Sequence, residues 1–362
     1  MSLDQRHTSP YTSKATPSER QKPLVTLALA AYNEASILED NLNRLCSYLD
    51  QCHEQFYYEI VLVNDGSKDT TGELADAFVK SHPAVRVFHH VTNQGLGKAL
   101  QTAFAESRGD YVVTLDIDLS CSEHTIGELV SEIIKTKSTI VVASPYAKGG
   151  EMVKVPYMRK FLSIAANKFL STVAPTHLTS LTCMVRVYEG DFIRSMNLRS
   201  MGMEIMPEII YKATILNAKI SEIPTVLDWS QQVDPNTTRR SSMRIFRHTF
   251  ATLLTGFLLR PFLFIIFPGI LLLLFSLYPI TWMFIHFFHE FAAINSDTSF
   301  LERSSQAIAM VFQLHPHTCL IGLLSLLLSV QLIAAGFQSL QNKHYFEEMF
   351  SLATEIRREK RK

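Results

Sequence analysis

Apolar runs of five to eight residues recur between residues 24 and 144, and segments with helical spacing separate them. The predicted strands are 24–31, 59–64, 85–90, 111–115 and 139–144. Segments 35–50 and 123–136 are predicted helices. The second helix places these apolar side chains on one face: Ile126, Leu129, Val130, Ile133 and Ile134. Strands separated by about one helix each are typical of an α/β fold with a mostly parallel sheet and helices on both faces.

Polar side chains follow four of these strands. Ligands of open parallel sheets bind at the carboxyl ends of the strands, so the loops leaving those ends are expected to carry the chemistry. The loops contain the segments Tyr32-Asn33-Glu34, Asn64-Asp65-Gly66-Ser67-Lys68-Asp69, Asn93-Gln94-Gly95-Leu96-Gly97-Lys98 and Asp116-Ile117-Asp118. One rim of the sheet is therefore predicted to be polar and acidic.

The two aspartates after the fourth strand have a spacing that suits a hard divalent cation. Asp116 and Asp118 can converge on Mg²⁺ or Mn²⁺, which prefers oxygen ligands and commonly bridges carboxylates to substrate phosphates. Two solvated loop aspartates are the alternative. The three other polar loops on the same rim favour the metal site.

The glycines of the third loop do not form a known phosphate-binding motif. Gly95-x-Gly97 lacks the third glycine and the position of a dinucleotide fingerprint. Gly97-Lys98-Ala99 lacks the glycine that a P-loop would need at Thr92, and no Ser or Thr follows its lysine. Kinase-like phosphoryl transfer is therefore unsupported.

The region from residue 261 to 340 has the composition of a membrane domain. Residues 261–285 contain no charged side chain, and at about 1.5 Å per residue they are long enough to cross a hydrocarbon core of about 30 Å. We predict transmembrane helices at about 261–285 and 318–338. A long buried helical hairpin is the alternative, but an uncharged run of this length exceeds ordinary helix lengths.

Basic residues flank the predicted spans on one side of the membrane. Arg303 is the single Lys or Arg residue in the segment between the spans. The positive-inside rule therefore places segment 286–317 outside. The N-terminal domain and the basic tail 341–362 are then cytoplasmic, at an inner or plasma membrane. Segment 239–260 is expected to be a basic amphipathic helix on the anionic membrane surface, or an extension of the first span. The flanking basic residues are Arg239, Arg240, Arg244, Arg247, Arg260, Lys343, Arg357, Arg358, Lys360, Arg361 and Lys362.

Charge and cysteine content narrow the class of protein. The 34 basic and 34 acidic side chains balance, so no nucleic-acid partner is expected. The 5 cysteines are scattered and contain no C-x-x-C pair, which suits a reducing compartment. Residues 1–22 lack the apolar run of a secretory signal and are predicted to be a disordered tail.

The four loop motifs, in this order and spacing, resemble those of the family 2 glycosyltransferases with the GT-A fold. The likeness is strongest to the polyprenyl-phosphate glycosyltransferases, the group that includes dolichyl-phosphate mannose synthase. It covers about residues 24–245, and the expected catalytic domain is 23–238. The resemblance implies a metal-dependent enzyme that uses Mg²⁺ or Mn²⁺, a nucleotide-sugar donor and a polyprenyl-phosphate acceptor in contact with membrane lipids. The spans permit a homo-oligomer.

The resemblance also implies roles for individual residues. On the donor side, Tyr32, Glu34 and Asp65 would hold the base and ribose, Asp116 would lie against the nucleotide, and Asp118 would coordinate the metal. The roles expected on the acceptor and sugar side are these: Arg159 and Ser163 grip the lipid phosphate, Arg159 acts with Asp118 as a catalytic residue, Arg240 contacts phosphate, and Arg186 and Glu208 shape the sugar pocket.

Two departures from the family pattern lie on the acceptor and sugar side. Pro145 stands where the family often has an arginine, and Lys148 is expected to substitute for it as a phosphate contact, without the bidentate fork. Ser180 stands where an aspartate is often found. These changes leave the nucleotide side intact and bear on the identity of the sugar. The sequence does not specify the sugar, the polyprenol or the choice between UDP and GDP.

The expected reaction is transfer of a sugar to a polyprenyl phosphate with inversion at the anomeric carbon. A phosphate monoester, with a second pKa of about 6, is largely dianionic near neutral pH and needs no strong general base. A processive polysaccharide synthase would require a Q-x-x-R-W motif and more spans, which this sequence lacks. Transfer to another lipid such as a diacylglycerol, and a non-catalytic nucleotide-sugar-binding membrane protein, stay open as alternatives.

Overall fold

The computed structural model describes residues 22–155, 178–228, 262–294 and 299–359, together with Tyr157 and Ile164. The chain divides into two compact units, the second of which spans Phe257–Phe350. The predicted tail up to residue 21 and the predicted juxtamembrane segment 239–260 lie outside the described residues.

Within the described part of the first unit, a seven-stranded sheet has the order β3-β2-β1-β4-β7-β5-β8. A separate two-stranded ladder pairs β6 with β9. The strands are β1 (Leu24–Ala31), β2 (Tyr57–Asn64), β3 (Val85–His89), β4 (Tyr111–Thr114), β5 (Ile140–Ser144), β6 (Glu151–Val153), β7 (Arg186–Glu189), β8 (Ile220–Pro224) and β9 (Val226–Asp228). The prediction of a mostly parallel sheet with helices is confirmed.

The register of the sheet brings the functional loops together. β1 and β2 are parallel and in step along their whole length, from Leu24 opposite Tyr57 to Ala31 opposite Asn64. The loops that begin at Tyr32 and Asp65 therefore leave the sheet side by side. β7 is antiparallel to both β4 and β5. The hydrophobic pattern does not predict β7, because four residues that begin with an arginine form no apolar run.

The helices of the first unit follow the predicted pattern with two corrections. They are α1 (Leu38–Gln51), α2 (Thr71–Ser81), α3 (Leu96–Glu106), α4 (His124–Thr136), α5 (Gly190–Ser195) and α6 (Ile205–Ile215). α1 begins at Leu38 rather than residue 35, because the amides of Ile37 and Leu38 both donate to the carbonyl of Glu34 in a turn. Ile134 was predicted on the apolar face of α4, but it is 45% exposed.

The core of the first unit lies between the sheet and the apolar faces of α1 and α4. Leu38, Leu42 and Leu45 of α1 are fully buried, as are Ile126 and Leu129 of α4. Complete burial of one such side chain stabilises the fold by about 1.5–3 kcal/mol. This packing fixes the sheet, and with it the positions at which the loops leave its carboxyl edge.

Two helices of the second unit are long and apolar enough to cross a membrane. α7 (Phe267–Ala293) follows a π-helical turn at Phe262–Ile266, and α9 covers Pro316–Glu359. The candidate spans are Phe264–Ala293 and Pro316–Ile356, longer than the predicted spans. The predicted outer segment 286–317 is largely helical, since α7 continues to Ala293 and α8 covers Phe300–Leu314.

Glycines bring α7 and α9 close together. A Cβ atom on Gly269 would lie 2.9 Å from Ile333, and one on Gly336 would lie 2.2 Å from Cγ1 of Ile266. Gly322 similarly faces Pro279, the proline inside α7, at 3.3 Å. Small residues at helix contacts are typical of membrane packing, where close van der Waals contact replaces the hydrophobic effect between helices.

Candidate active site

Hydrogen bonds join the first two loops of the rim. The amide of Asn33 donates to Oγ of Ser67 (3.0 Å), and Oδ1 of Asn33 accepts from the amide of Lys68 (2.8 Å). Asn33 has a φ of 56°, a conformation that asparagine tolerates better than most residues. The backbone between Tyr32 and Glu34 is thereby fixed against the loop that contains Asp65.

Asp69 and Thr71 complete this connection. Asp69 accepts from the amides of Ala35 and Thr71, and Oγ1 of Thr71 accepts from the amide of Glu34 (2.9 Å). The small burial of Asp69 alone would raise its pKa, but these hydrogen bonds hold the pKa below its usual range. Asp69 therefore positions the loops that carry Tyr32 and Glu34, a role that the sequence analysis did not assign.

The carboxylate of Asp65, the residue that follows β2, holds the turn between β3 and α3. Its Oδ1 accepts from the amide of Gln94 (3.0 Å) and lies 2.6 Å from Nδ1 of His90, and its Oδ2 accepts from the amide of Gly95 (2.8 Å). Its side chain is only 4% exposed. The expected nucleotide-binding residue thus also holds the third loop in place.

The acidic segment after β4 contains a cluster of carboxylates. Burial, together with repulsion from Asp118 and Glu34, raises the pKa of Asp116 to about 7. Oδ1 of Asp118 accepts from the amide of Ser120 (3.0 Å), and Leu119 adopts a φ of 50° in this tight turn. The structure therefore brings Glu34 and Asp118, from two separate loops, close enough to Asp116 for both to repel its carboxylate.

This cluster fits a divalent cation that is also bound by a substrate. Mutual repulsion of carboxylates favours a cation between them, and Mg²⁺ commonly takes one or two protein carboxylates, with phosphate oxygens and water completing its coordination. Among the described residues, no group of three or more His, Cys, Asp or Glu side chains is arranged to hold a metal alone. Asp116 and Asp118 fit a site completed by a diphosphate.

Gly95 and Gly97 contact the protein rather than forming a phosphate cradle. Gly95 has a φ of 96°, and a Cβ atom on it would lie 2.4 Å from the carbonyl oxygen of Met201. A Cβ atom on Gly97 would lie 2.3 Å from the carbonyl oxygen of Ser200. Nε2 of Gln101 also donates to the carbonyl of Ser200 (2.8 Å). Both glycines are needed because the segment before α6 packs directly on the backbone of the third loop.

Glu208, expected in the sugar pocket, holds that same segment. Its carboxylate accepts from the amides of Arg199 (3.0 Å) and Ser200 (2.8 Å) and forms an ion pair with Lys212. Burial would raise the pKa of Glu208, but the hydrogen bonds from Lys212 and Ser200 lower it. Glu208 is thus a positioning residue for residues 199 and 200. The spacing of four residues between Glu208 and Lys212 is the sequence signal that could have found this ion pair.

Arg186, the other expected sugar-pocket residue, is fully buried. Its guanidinium donates to the carbonyls of Met206 (2.8 Å) and Leu181 (2.7 Å). Arg186 connects β7 to the start of α6 and to the segment that precedes β7. Its expected place in the sugar pocket stays a prediction.

A carboxylate from another strand lies beside Ser180, the position where the family often has an aspartate. Glu222 of β8 accepts from the amides of Thr179 and Ser180, each at 3.0 Å. Oγ of Ser180 accepts from the amide of Cys183 (3.2 Å). No local sequence pattern indicates Glu222, because the contact spans 42 residues and depends on the pairing of β5 with β8.

The remaining predicted site residues are divided between surface and undescribed positions. Tyr32 is 37% exposed at the rim, and Lys148 is exposed in the loop between β5 and β6. Arg159, Ser163 and Arg240 lie outside the described residues. The described site therefore brings together the donor-side residues, and the acceptor-side phosphate contacts stay predictions.

Comparison with protein families identifies the sheet unit. Residues 26–196 match the family model of glycosyl transferase family 2. A dolichyl-phosphate beta-glucosyltransferase of Trichomonas vaginalis is 26% identical over 233 residues, covering 61% of this chain and 67% of the relative. A dolichol-phosphate mannosyltransferase of Pyrococcus furiosus is 30% identical over 203 residues, covering 55% of each chain. An undecaprenyl-phosphate mannosyltransferase of Micrococcus luteus is 29% identical, covering 55% of this chain and 82% of the relative.

The solved structures that match this chain have low sequence identities and TM-scores below 0.5. A glucosyl-3-phosphoglycerate synthase of Mycobacterium tuberculosis with Mg²⁺ and UDP is 19% identical, covering 65% of this chain and 79% of that chain, with a TM-score of 0.47. A Pyrobaculum calidifontis mannosyltransferase with GDP-Man and Mn²⁺ is 16% identical, covering 95% and 89%, with a TM-score of 0.42. These two add nothing about function. Residues 26–196, which contain the four loop motifs, therefore match glycosyl transferase family 2.

Proposed function

We propose that the chain is an inverting glycosyltransferase that moves a sugar from a nucleotide sugar to a polyprenyl phosphate at the cytosolic face of a membrane. The observation that carries the proposal is the convergence of Glu34, Asp116 and Asp118 at the carboxyl edge of the sheet, where burial together with repulsion from Asp118 and Glu34 raises the pKa of Asp116 to about 7. An acidic cluster of this kind suits a metal-bound diphosphate. The named activities of the curated relatives support the lipid-phosphate acceptor.

The reaction forms one bond and breaks one bond at the anomeric carbon. A phosphate oxygen of the lipid attacks that carbon, and the bond to the donor diphosphate breaks with release of the nucleoside diphosphate. The attacking phosphate is already ionised near neutral pH, so this chain has to align it rather than deprotonate it. Arg159, Ser163, Lys148 and Arg240 are the proposed phosphate contacts.

Asp118 and Asp116 are the residues that would hold Mg²⁺ or Mn²⁺ in this proposal. The cation would supply positive charge to the departing diphosphate. Tyr32, Glu34 and Asp65 would hold the base and ribose, while Arg186 and Glu208 would support the sugar pocket through the backbone segments that they position.

The two candidate spans explain why such an enzyme would be tethered. A water-soluble donor must meet a lipid whose head group lies at the membrane surface, so a cytosolic domain attached by two helices brings both to one site. The charge distribution around the spans supports a cytosolic catalytic domain.

Nucleotide release by the detergent-purified, full-length protein tests the proposal. The assay combines a panel of UDP- and GDP-sugars with Mg²⁺ or Mn²⁺ and with undecaprenyl or dolichyl phosphate. Release should require metal and lipid phosphate and should be lost in Asp118→Asn. Asp191→Asn is the matched control, because the Asp191 side chain is 92% exposed and pairs with Arg194 on α5.

Other outcomes would contradict the proposal. Release with a diacylglycerol instead of a lipid phosphate would indicate the other acceptor class, which a shift of the labelled lipid in chromatography would also show. Nucleotide binding without turnover on any lipid would indicate a non-catalytic role.

A further inference from the structure

Asp65 has little hydrogen-bonding capacity left for a ligand. A carboxylate offers about four lone-pair positions, two on each oxygen. On Oδ1, the amide of Gln94 and Nδ1 of His90 fill both positions, and on Oδ2 the amide of Gly95 fills one. Asp65 can therefore accept one further hydrogen bond, on Oδ2.

His90 is the residue that sets this limit. An Asp65 carboxylate only accepts hydrogen bonds, so Nδ1 of His90 carries the hydrogen that it shares with Oδ1. The other ring nitrogen, Nε2, lies 2.9 Å from Oγ1 of Thr102 on α3, and the His90 amide donates to the carbonyl of Asn64 (2.9 Å). The imidazole is held at both ends and its side chain is 9% exposed, so it cannot turn away to free Oδ1.

Asp65 lies beside the first loop, so the number of hydrogen bonds that it can still accept bears on the choice of donor base. The amide of Asp65 donates to the carbonyl of Ala31 (2.9 Å), which places Asp65 next to Tyr32, an aromatic residue on which a base can stack. The pairing edge of uracil has a single N–H between two carbonyls. Guanine presents two adjacent donors, the ring N–H and the exocyclic amine, and would need both oxygens of the carboxylate.

We propose that the donor nucleotide is a uridine diphosphate sugar, selected because His90 occupies one oxygen of Asp65 and leaves an acceptor for one base N–H only. This inference rests on the proposed function, since it takes Asp65 as a contact of the donor base. His90 is a positioning residue in this scheme, and it acts on the base through Asp65.

Equilibrium binding of UDP and GDP to the full-length protein in detergent, with Mg²⁺ present, tests the inference without a lipid acceptor. We expect UDP to bind at least about tenfold more tightly than GDP, because bound guanine leaves one donor without a partner. In His90→Leu, Oδ1 regains a free position, and the ratio of the two affinities should fall severalfold. Thr102→Val removes the outer contact of the imidazole and keeps His90, so the preference for UDP should persist.

The outcomes separate this inference from the proposed function. Equal or tighter binding of GDP to the wild-type protein overturns the uridine assignment. An unchanged ratio in a His90→Leu variant with a normal unfolding temperature overturns the role of His90. Tight, UDP-selective binding without lipid-dependent release would support the base assignment while contradicting the transferase reaction, whereas no binding of either nucleotide would contradict both.

Discussion

The amide of Gly97 donates a 2.7 Å hydrogen bond to the carbonyl of Met201, more than 100 residues later in the chain. This bond joins the third loop of the rim to the segment that Glu208 holds. A glycine in the third loop is therefore a packing requirement. The neighbouring Gly95 and Lys98 do not form a P-loop with it.

Gly97→Ala should destabilise the first unit. The new Cβ atom would lie 2.3 Å from the carbonyl oxygen of Ser200 and 2.7 Å from the carbonyl carbon of Met201, so the segment must move. Overpacking of this kind costs about 1–3 kcal/mol. Thermal unfolding measures the change, and Ala105→Val on the exposed side of α3 is the control. A Gly97→Ala protein as stable as the wild type would contradict the tight contact.

Glu208→Gln and Lys212→Met should be strongly non-additive. The pair is partly buried, and each partner also holds backbone groups of the segment before α6, so loss of either leaves the other unsatisfied. A double-mutant cycle on the free energy of unfolding should give a coupling of about 1–3 kcal/mol. Additive effects would show that the two side chains act independently.

The lowered pKa of Glu208 also predicts how the first unit responds to acid. A carboxyl group with a folded-state pKa below its unfolded value contributes stability at neutral pH, and this contribution is lost as the pH falls through the folded-state value. The wild type should therefore lose more stability than Glu208→Gln below about pH 4. Glu204→Gln, at the start of the same helix, is the control.

The raised pKa of Asp116 predicts the opposite dependence of stability on pH. Its folded-state pKa of about 7 lies above the unfolded value, so the folded protein holds a proton that the unfolded chain releases. Without divalent cations, the stability contribution of Asp116 is present at acidic pH and is lost as the pH rises towards and through 7. Asp116→Asn should remove this loss and unfold at a temperature about 2–5 °C above the wild type at pH 8 in EDTA. A wild-type unfolding temperature that rises with pH over this range would contradict the prediction.

Gly336→Val should separate the two long helices of the second unit. Its Cβ position lies 2.2 Å from Cγ1 of Ile266, so a branched side chain cannot fit without displacing one helix. The expected result is a lower unfolding temperature of the detergent-solubilised protein. Phe337→Val changes the neighbouring residue, which is 63% exposed, and should have little effect. Equal unfolding temperatures for the two variants would rule out close packing at Gly336.

Cysteine labelling tests the predicted orientation in the membrane. Ser305→Cys on α8 should react with a membrane-impermeant maleimide in intact cells, whereas Gln341→Cys on α9 should react only after permeabilisation. The unmodified protein controls for the native cysteines, of which only Cys183 is not fully buried among the residues that the structure describes. The reverse labelling pattern would place the glycosyltransferase domain outside.

The sequence predicted the parallel strands and the acidic rim because local signals encode both. Five apolar runs matched β1 to β5 within about two residues, and carboxylates at successive strand ends had to meet on one edge. The antiparallel strand β7 and the contacts of Glu222 could not be predicted in this way. They depend on pairing between distant segments, and a buried arginine such as Arg186 looks like a surface residue until its carbonyl partners are known.

The last helix has a mechanical consequence. Its 44 residues, at about 1.5 Å each, make a rod of about 66 Å, roughly twice the thickness of a hydrocarbon core. No proline follows Pro316 within it, so no proline kink is expected along its length. If its apolar part crosses a bilayer, about half of the rod extends beyond the hydrocarbon core and acts as a spacer for the charged end.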